Sequence, residues 1–205
     1  VLPPQNYSVN NNNNIVLNIT SNTTNGDTTF IDTSISGHTI TVYGNTQHST
    51  TQLISGSSSM YFDGSGDYLE LSNSDDWNFR TNPFTIQFWI YPESISSSSA
   101  GQRIINRAKY GGSNNSSFSL YFSNNKLRME ISPTGDIGGW QYDIITNQTF
   151  NNNTWYNISV IRKSNNLSFF VNGIEYKRFD IGNYDFNSDR TLDIGIYRDQ
   201  INNGI

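Results

Sequence analysis

Apolar and polar residues alternate through many short stretches of the chain, and no stretch sustains the i, i+3, i+4, i+7 apolar spacing of an amphipathic helix. The clearest stretch is Phe84–Tyr91, Phe-Thr-Ile-Gln-Phe-Trp-Ile-Tyr. Side chains alternate along a strand, so Phe84, Ile86, Phe88 and Ile90 share one face and Thr85, Gln87, Trp89 and Tyr91 share the other. The first face is purely apolar and is expected to enter a core. The second is amphipathic and suits a half-exposed, concave surface. Further strands are predicted at Ile15–Ile19, Thr28–Ile31, Thr39–Tyr43, Ser59–Phe62, Tyr68–Leu71, Ile104–Ile105, Trp155–Arg162 and Leu192–Tyr197. Phe118–Phe122 and Leu127–Ile131 form a hairpin through Ser123-Asn124-Asn125-Lys126, and Leu167–Val171 joins Ile174–Lys177 through Asn172-Gly173. Asn-Gly favours a two-residue hairpin because both residues tolerate positive φ. Residues 1–14 are rich in Pro and Asn and read as an arm or linker; residues 15–205 read as one domain. The Ser-, Gly- and Asn-rich segments Glu93–Gly101 and Tyr110–Ser117 read as loops.

Composition narrows this picture. With 205 residues the chain suits one large β-domain. It holds 30 Asn and 27 Ser; charged residues make up only 14%, and aromatics as much as 14%. A disordered chain shows the reverse balance, many charges and few aromatics. The net charge of −5 and the lack of any basic run argue against nucleic acid and anionic lipid as partners. No apolar run is long enough to insert into a membrane as a helix. Cysteine is absent, and the only histidines are His38 and His48, so thiolate chemistry is excluded. The chain starts without Met or a signal peptide, and it is expected to be processed or cut from something longer. A neutral, amide-coated surface suits an extracellular or virion protein.

Six motifs then fall in a familiar order: Phe30–Thr39, Gly56–Leu69, Asn82–Ile90, Thr154–Arg162, Leu167–Gly173 and Leu192–Gly195. Together they resemble the laminin-G-like, concanavalin A-like lectin/glucanase jelly-roll family, from about residue 15 to residue 199. The resemblance implies an all-β, two-sheet antiparallel jelly-roll sandwich that binds rather than catalyses. Similar domains end on a further strand, which this chain lacks at Asn202–Ile205. It is therefore expected to be a fragment, or to have that edge covered by another chain. Asn-rich versions with an N-terminal arm resemble modules of virion fibres, which implies a homo-oligomer or part of a larger virion or fibre assembly.

Candidate chemistry follows from side-chain types. Glycosidases of this fold carry Glu-x-Asp-x-Glu on one strand, and no such triplet exists; Glu70, Glu130 and Glu175 each stand alone in their strands. No Gly-x-Ser-x-Gly elbow accompanies His48. An enzyme is therefore not expected. Calcium is the one cofactor considered, with Asp32, Asp185, Asn187 and Asp189 as oxygen ligands. Asp63-x-Ser65-x-Asp67 has similar spacing but reads as a glycine turn with satisfied carboxylates. Sugars are recognised by aromatic rings and by planar amides and charged groups that bond hydroxyls. The expected carbohydrate-binding residues are Trp140, Tyr142, Tyr110, Arg107, Asn106 and Tyr184, and the partner a cell-surface or extracellular glycan. Trp77, Trp89 and Trp155 lie inside the family motifs and are expected to pack. Two other readings stand beside the lectin: a structural β-sandwich decorating a virion or fibre, and a glycoside hydrolase-like domain.

Overall fold

The computed structural model describes residues 15–95, 101–107, 117–132 and 141–195, and the chain divides into two compact units, Val1–Leu71 and Ser72–Ile205. Described elements are β-strands apart from one short 3-10 turn.

In the first unit, β1 (Ile40–Tyr43) pairs antiparallel with β4 (Tyr68–Leu71), and β2 (Gln47–Ser49) with β3 (Ser59–Tyr61). The strands expected at Ile15–Ile19 and Thr28–Ile31 do not form; only a single bridge joins Ile19 to Asp32. Carboxylates compete there with the ladder. Asp32 accepts the backbone N–H of Asn18, Ser34 and His38, and Asp27 accepts that of Thr29. Strand β2 escaped prediction because Gln-His-Ser carries no apolar alternation, although His48 is its buried member.

The second unit holds two antiparallel sheets. One has strand order β12 (Ile174–Asp180), β11 (Asn166–Val171), β10 (Tyr156–Lys163), β5 (Phe84–Ile90). The other runs β13 (Leu192–Ile194), β6 (Gln102–Asn106), β7 (Ser117–Ser123), β8 (Lys126–Ser132), β9 (Tyr142–Ile145). Both expected hairpins form. Asn124 and Asn125 sit at φ 51° and 57°, and Asn172 and Gly173 at 51° and 80°, the left-handed pair that a two-residue turn needs.

Between the sheets, Leu120, Leu127, Met129, Ile131, Ile158, Val160, Leu167 and Phe169 are fully buried. Aromatic contacts link the layers: Phe150 touches Phe122 of β7 and Tyr156 of β10, and Phe186 touches Phe118 of β7 and Phe84 of β5. This is the expected jelly-roll sandwich. The apolar face of β5 is its inward one but stays half-buried, because β5 is the last strand in its sheet.

Candidate functional site

Pairing register across the four-stranded sheet brings scattered residues into rows on its outer face. Trp89 stands beside Asn157. The next row reads Gln87, Ser159, Phe170, Glu175, and the one after it Thr85, Ile161, Ser168, Arg178. Trp89 is 42% exposed. Gln87 Nε2 donates to Asn157 Oδ1 at 3.1 Å, and the Asn157 backbone N–H donates to Asn172 Oδ1 at 2.9 Å, so the amides beside the indole are held in place. Tyr91 and Trp155 continue the aromatic end, with ring centroids 5.3 Å apart. On the two middle strands the small, buried Ser159 and Ser168 alternate with the larger Asn157, Ile161 and Phe170. On the β12 side Arg178 donates to both oxygens of Glu175, at 3.0 and 2.7 Å. That fork holds the Glu175 carboxyl below its ordinary range, and the Arg178 guanidinium is raised in return.

The five-stranded sheet has a polar face of another kind. One row crosses all five strands: Asp193, Asn106, Ser119, Glu130, Asp143. The adjacent row holds Arg103, Tyr121 and Arg128. The Arg103 guanidinium lies 3.7 Å from the Tyr121 ring centre, and Glu130 lies 3.8 Å from both Arg103 and Arg128. Arg128 also grips Asp143 with two nitrogens. Burial, together with the bond to Glu130, pushes the Tyr121 phenol well above its ordinary pKa. Asp193 is pushed up to about 6, by burial against the opposing pull of the Thr191 hydroxyl. Gly101 packs on this face so closely that a Cβ there would lie 2.5 Å from the Tyr121 ring.

The residues expected to bind sugar do not share one place. Tyr110 and Trp140 lie outside the described residues. Asn106 is fully buried in the charged row. Arg107 is 2% exposed, and its guanidinium donates to the carbonyls of Trp77 (2.6 Å), Ser188 (2.7 Å) and Arg190 (3.0 Å), and to Asn73 and Asn78. It staples loops together, and burial lowers its pKa to about 10. Tyr184 is a core residue whose hydroxyl donates to the Ser132 carbonyl at 2.6 Å. Tyr142 packs edge-on against Phe179 and Tyr184. Among the described tryptophans, Trp89, expected to pack, is 42% exposed, whereas Trp77 is 2% exposed. The signal for this surface was the amphipathic alternation of β5; its partners on β10–β12 needed the register.

The expected calcium ligands are also apart in their bonding. Both oxygens of Asp32 each accept two donors, from Asn18, Ser34 and His38, which occupies the lone-pair positions of the carboxylate. Burial pushes its pKa up, but these donors outweigh it and hold the carboxyl below its ordinary value. Asp185 faces Arg80 at 3.7 Å, Asp189 faces Arg190 at 3.5 Å, and Asn187 follows Asp185 on the same loop. Among the described residues, no group of three or more His, Asp or Glu side chains could hold a metal ion.

A serine–histidine contact does occur, in the first unit. The Thr29 carbonyl can only accept, so His48 Nε2 donates to it (3.0 Å), while Nδ1 is hydrogen-bonded to the Ser21 hydroxyl. The chain continues through Ser58 to the Thr23 N–H. The imidazole is 2% exposed and stacked on Phe30 at 4.2 Å, an arrangement that pins turns together rather than activating a nucleophile.

The sequence model of the concanavalin A-like lectin/glucanases superfamily matches residues 62–203, more than half of the chain. No curated protein sequence matches. Among solved structures, the ligand binding domain of botulinum neurotoxin serotype D, in complex with N-acetylneuraminic acid, superposes with a TM-score of 0.67 at 18% identity. That match covers 90% of this chain and 43% of the toxin domain, so the chain spans less than half of that relative's length. Domain 4 of an extracellular arabinanase from Geobacillus stearothermophilus, in complex with arabinotriose, superposes with a TM-score of 0.57 at 15% identity, covering 80% of this chain and 77% of the domain. At these identities the likeness speaks for the fold.

Proposed function

Because the chain belongs to the concanavalin A-like lectin/glucanase superfamily, we propose that it is a non-catalytic carbohydrate-binding module whose glycan lies on the outer face of the four-stranded sheet. One observation carries this reading: Trp89, 42% exposed, stands beside the hydrogen-bonded amides of Gln87 and Asn157. An indole face stacks on the C–H face of a sugar ring, and planar amides bond its hydroxyls in fixed directions. Sugar complexes of the toxin domain and of the arabinanase domain support carbohydrate as the ligand class for this fold. The adjacent carboxylates Glu130 and Asp143 both face Arg128, an arrangement that fits a structural ion-pair network.

The module acts at an extracellular or virion surface, where weak single sites gain avidity from several copies. A glycan array with Trp89→Ala tests the reading. The parent is expected to retain a defined set of glycans. The variant is expected to lose at least tenfold in affinity, about 1.4 kcal/mol, with its melting curve nearly unchanged. A parent that ignores every glycan would favour a structural decoration domain instead.

A further inference from the structure

The same face carries information about which sugars it takes, and the argument rests on the reading just given. A carboxylate-bearing sugar calls for a cation or a fork of charged donors near its ring. Around Trp89 the structure places amides and hydroxyls: Gln87, Asn157, Ser159 and Asn172. Among the described residues of this face the cations are Lys163 and Arg178. Lys163 lies six residues along β10 from Asn157, about 20 Å at the rise of a strand. Arg178 is engaged at both ends of its fork by Glu175, at 3.0 and 2.7 Å. Approaching acidic sugars therefore meet a guanidinium already paired to a carboxylate, on a chain whose net charge is −5.

A second ring platform lies within reach. Phe170 is half-buried on β11, two strands across and one row along from Trp89. Strand spacing and rise put the two residues about 12 Å apart. Between them on β10 lies Ser159, a small side chain that raises no bulk between the two rings.

We propose that this face binds a neutral oligosaccharide spanning Trp89 and Phe170, and that it discriminates against sialylated and uronic acid-containing glycans. The test uses the whole chain against matched pairs: lactose and sialyllactose, and neutral oligosaccharides of one to four residues beside their uronic acid counterparts. Neutral members are expected to bind at least tenfold more tightly than their acidic partners, and affinity is expected to rise from one ring to three. Phe170→Ala is expected to flatten that rise to the level of a single ring, with Ser159→Trp, which puts bulk between the two rings, as an independent block. Glu175→Gln releases the Arg178 guanidinium and is expected to narrow the discrimination against acidic members severalfold.

Equal or tighter binding of the acidic members, with Trp89→Ala still abolishing it, overturns the inference and leaves the binding face standing. Binding that ignores chain length, or survives both Phe170→Ala and Ser159→Trp, overturns the two-platform geometry. Absence of binding to every member, acidic or neutral, removes the binding face and the inference together.

Discussion

The outer face of the four-stranded sheet and the polar face of the five-stranded sheet both alternate with core residues, yet they are made of different material. The first shows an exposed Trp89, fixed amides and serines, and its one close ion pair sits at the rim. The second gathers Arg103, Arg128, Glu130, Asp143 and Asp193, and most of it is closed: Ser119 is 0% and Tyr121 2% exposed. The difference follows from solvation. Charges withdrawn from water must find partners, so the charged side chains of the closed face pair with one another, Glu130 with Arg103 and Arg128, and Asp143 with Arg128. Neutral groups left in water keep hydrogen-bonding capacity that a ligand can use. A polar sheet face that is neutral and open is therefore available to a ligand, whereas one that is charged and closed is taken up by its own pairing.

Stability measurements separate the two faces. Glu130→Ala removes the anion between Arg103 and Arg128 and is expected to cost about 3–5 kcal/mol in denaturant unfolding, the scale of a broken buried ion pair. A cost below about 1 kcal/mol would mean that the face is solvated after all.

Asp193 has a subtler signature. Its folded pKa of about 6 stands above the ordinary value of 3.8, so the folded state holds the proton more tightly than the unfolded one. Stability from this group is then greatest below about pH 4, falls as pH rises to about 6, and is level above that. The penalty is about 2–3 kcal/mol. Asp193→Asn is expected to flatten this part of the pH profile and to be more stable than the parent at pH 8; an unchanged profile would show that the carboxyl is hydrated.

On the open face, Trp89→Ala is expected to cost less than about 1 kcal/mol, as for an exposed side chain, despite its large effect on binding. The smallest effect belongs to Glu175→Gln: an exposed pair adds little to stability, so its melting temperature should match the parent's within error.

Much of the sheet structure was legible in the chain because alternation and turn chemistry are local. Phe84–Ile90 formed as read, and the Asn172-Gly173 and Asn124-Asn125 turns took the left-handed backbone that those residues tolerate. Prediction failed where side chains took over backbone donors, at Asp32 and Asp27, since a carboxylate and a strand partner look alike in sequence. The candidate site was half legible. The outer face of β5 was readable as amphipathic, but family motifs suggested that Trp89 packs, and Arg107 and Tyr184 looked like rim residues. Their burial depends on carbonyls more than 50 positions away in sequence, those of Ser188 and Arg190 for Arg107 and of Ser132 for Tyr184.

By itself the sequence determined that this chain builds antiparallel strands with neutral, amide-rich surfaces, because alternation, turn residues and charge are properties of neighbouring positions. Tertiary structure alone decided which polar residues meet. Register across strands aligned Trp89 with Asn157 and Ser159 with Phe170, and it gathered five residues from five strands into the row ending at Asp193. The physical reason is that register and burial arise from contacts between distant segments, so a residue's exposure, and with it its chemistry, is set only when the sheets close.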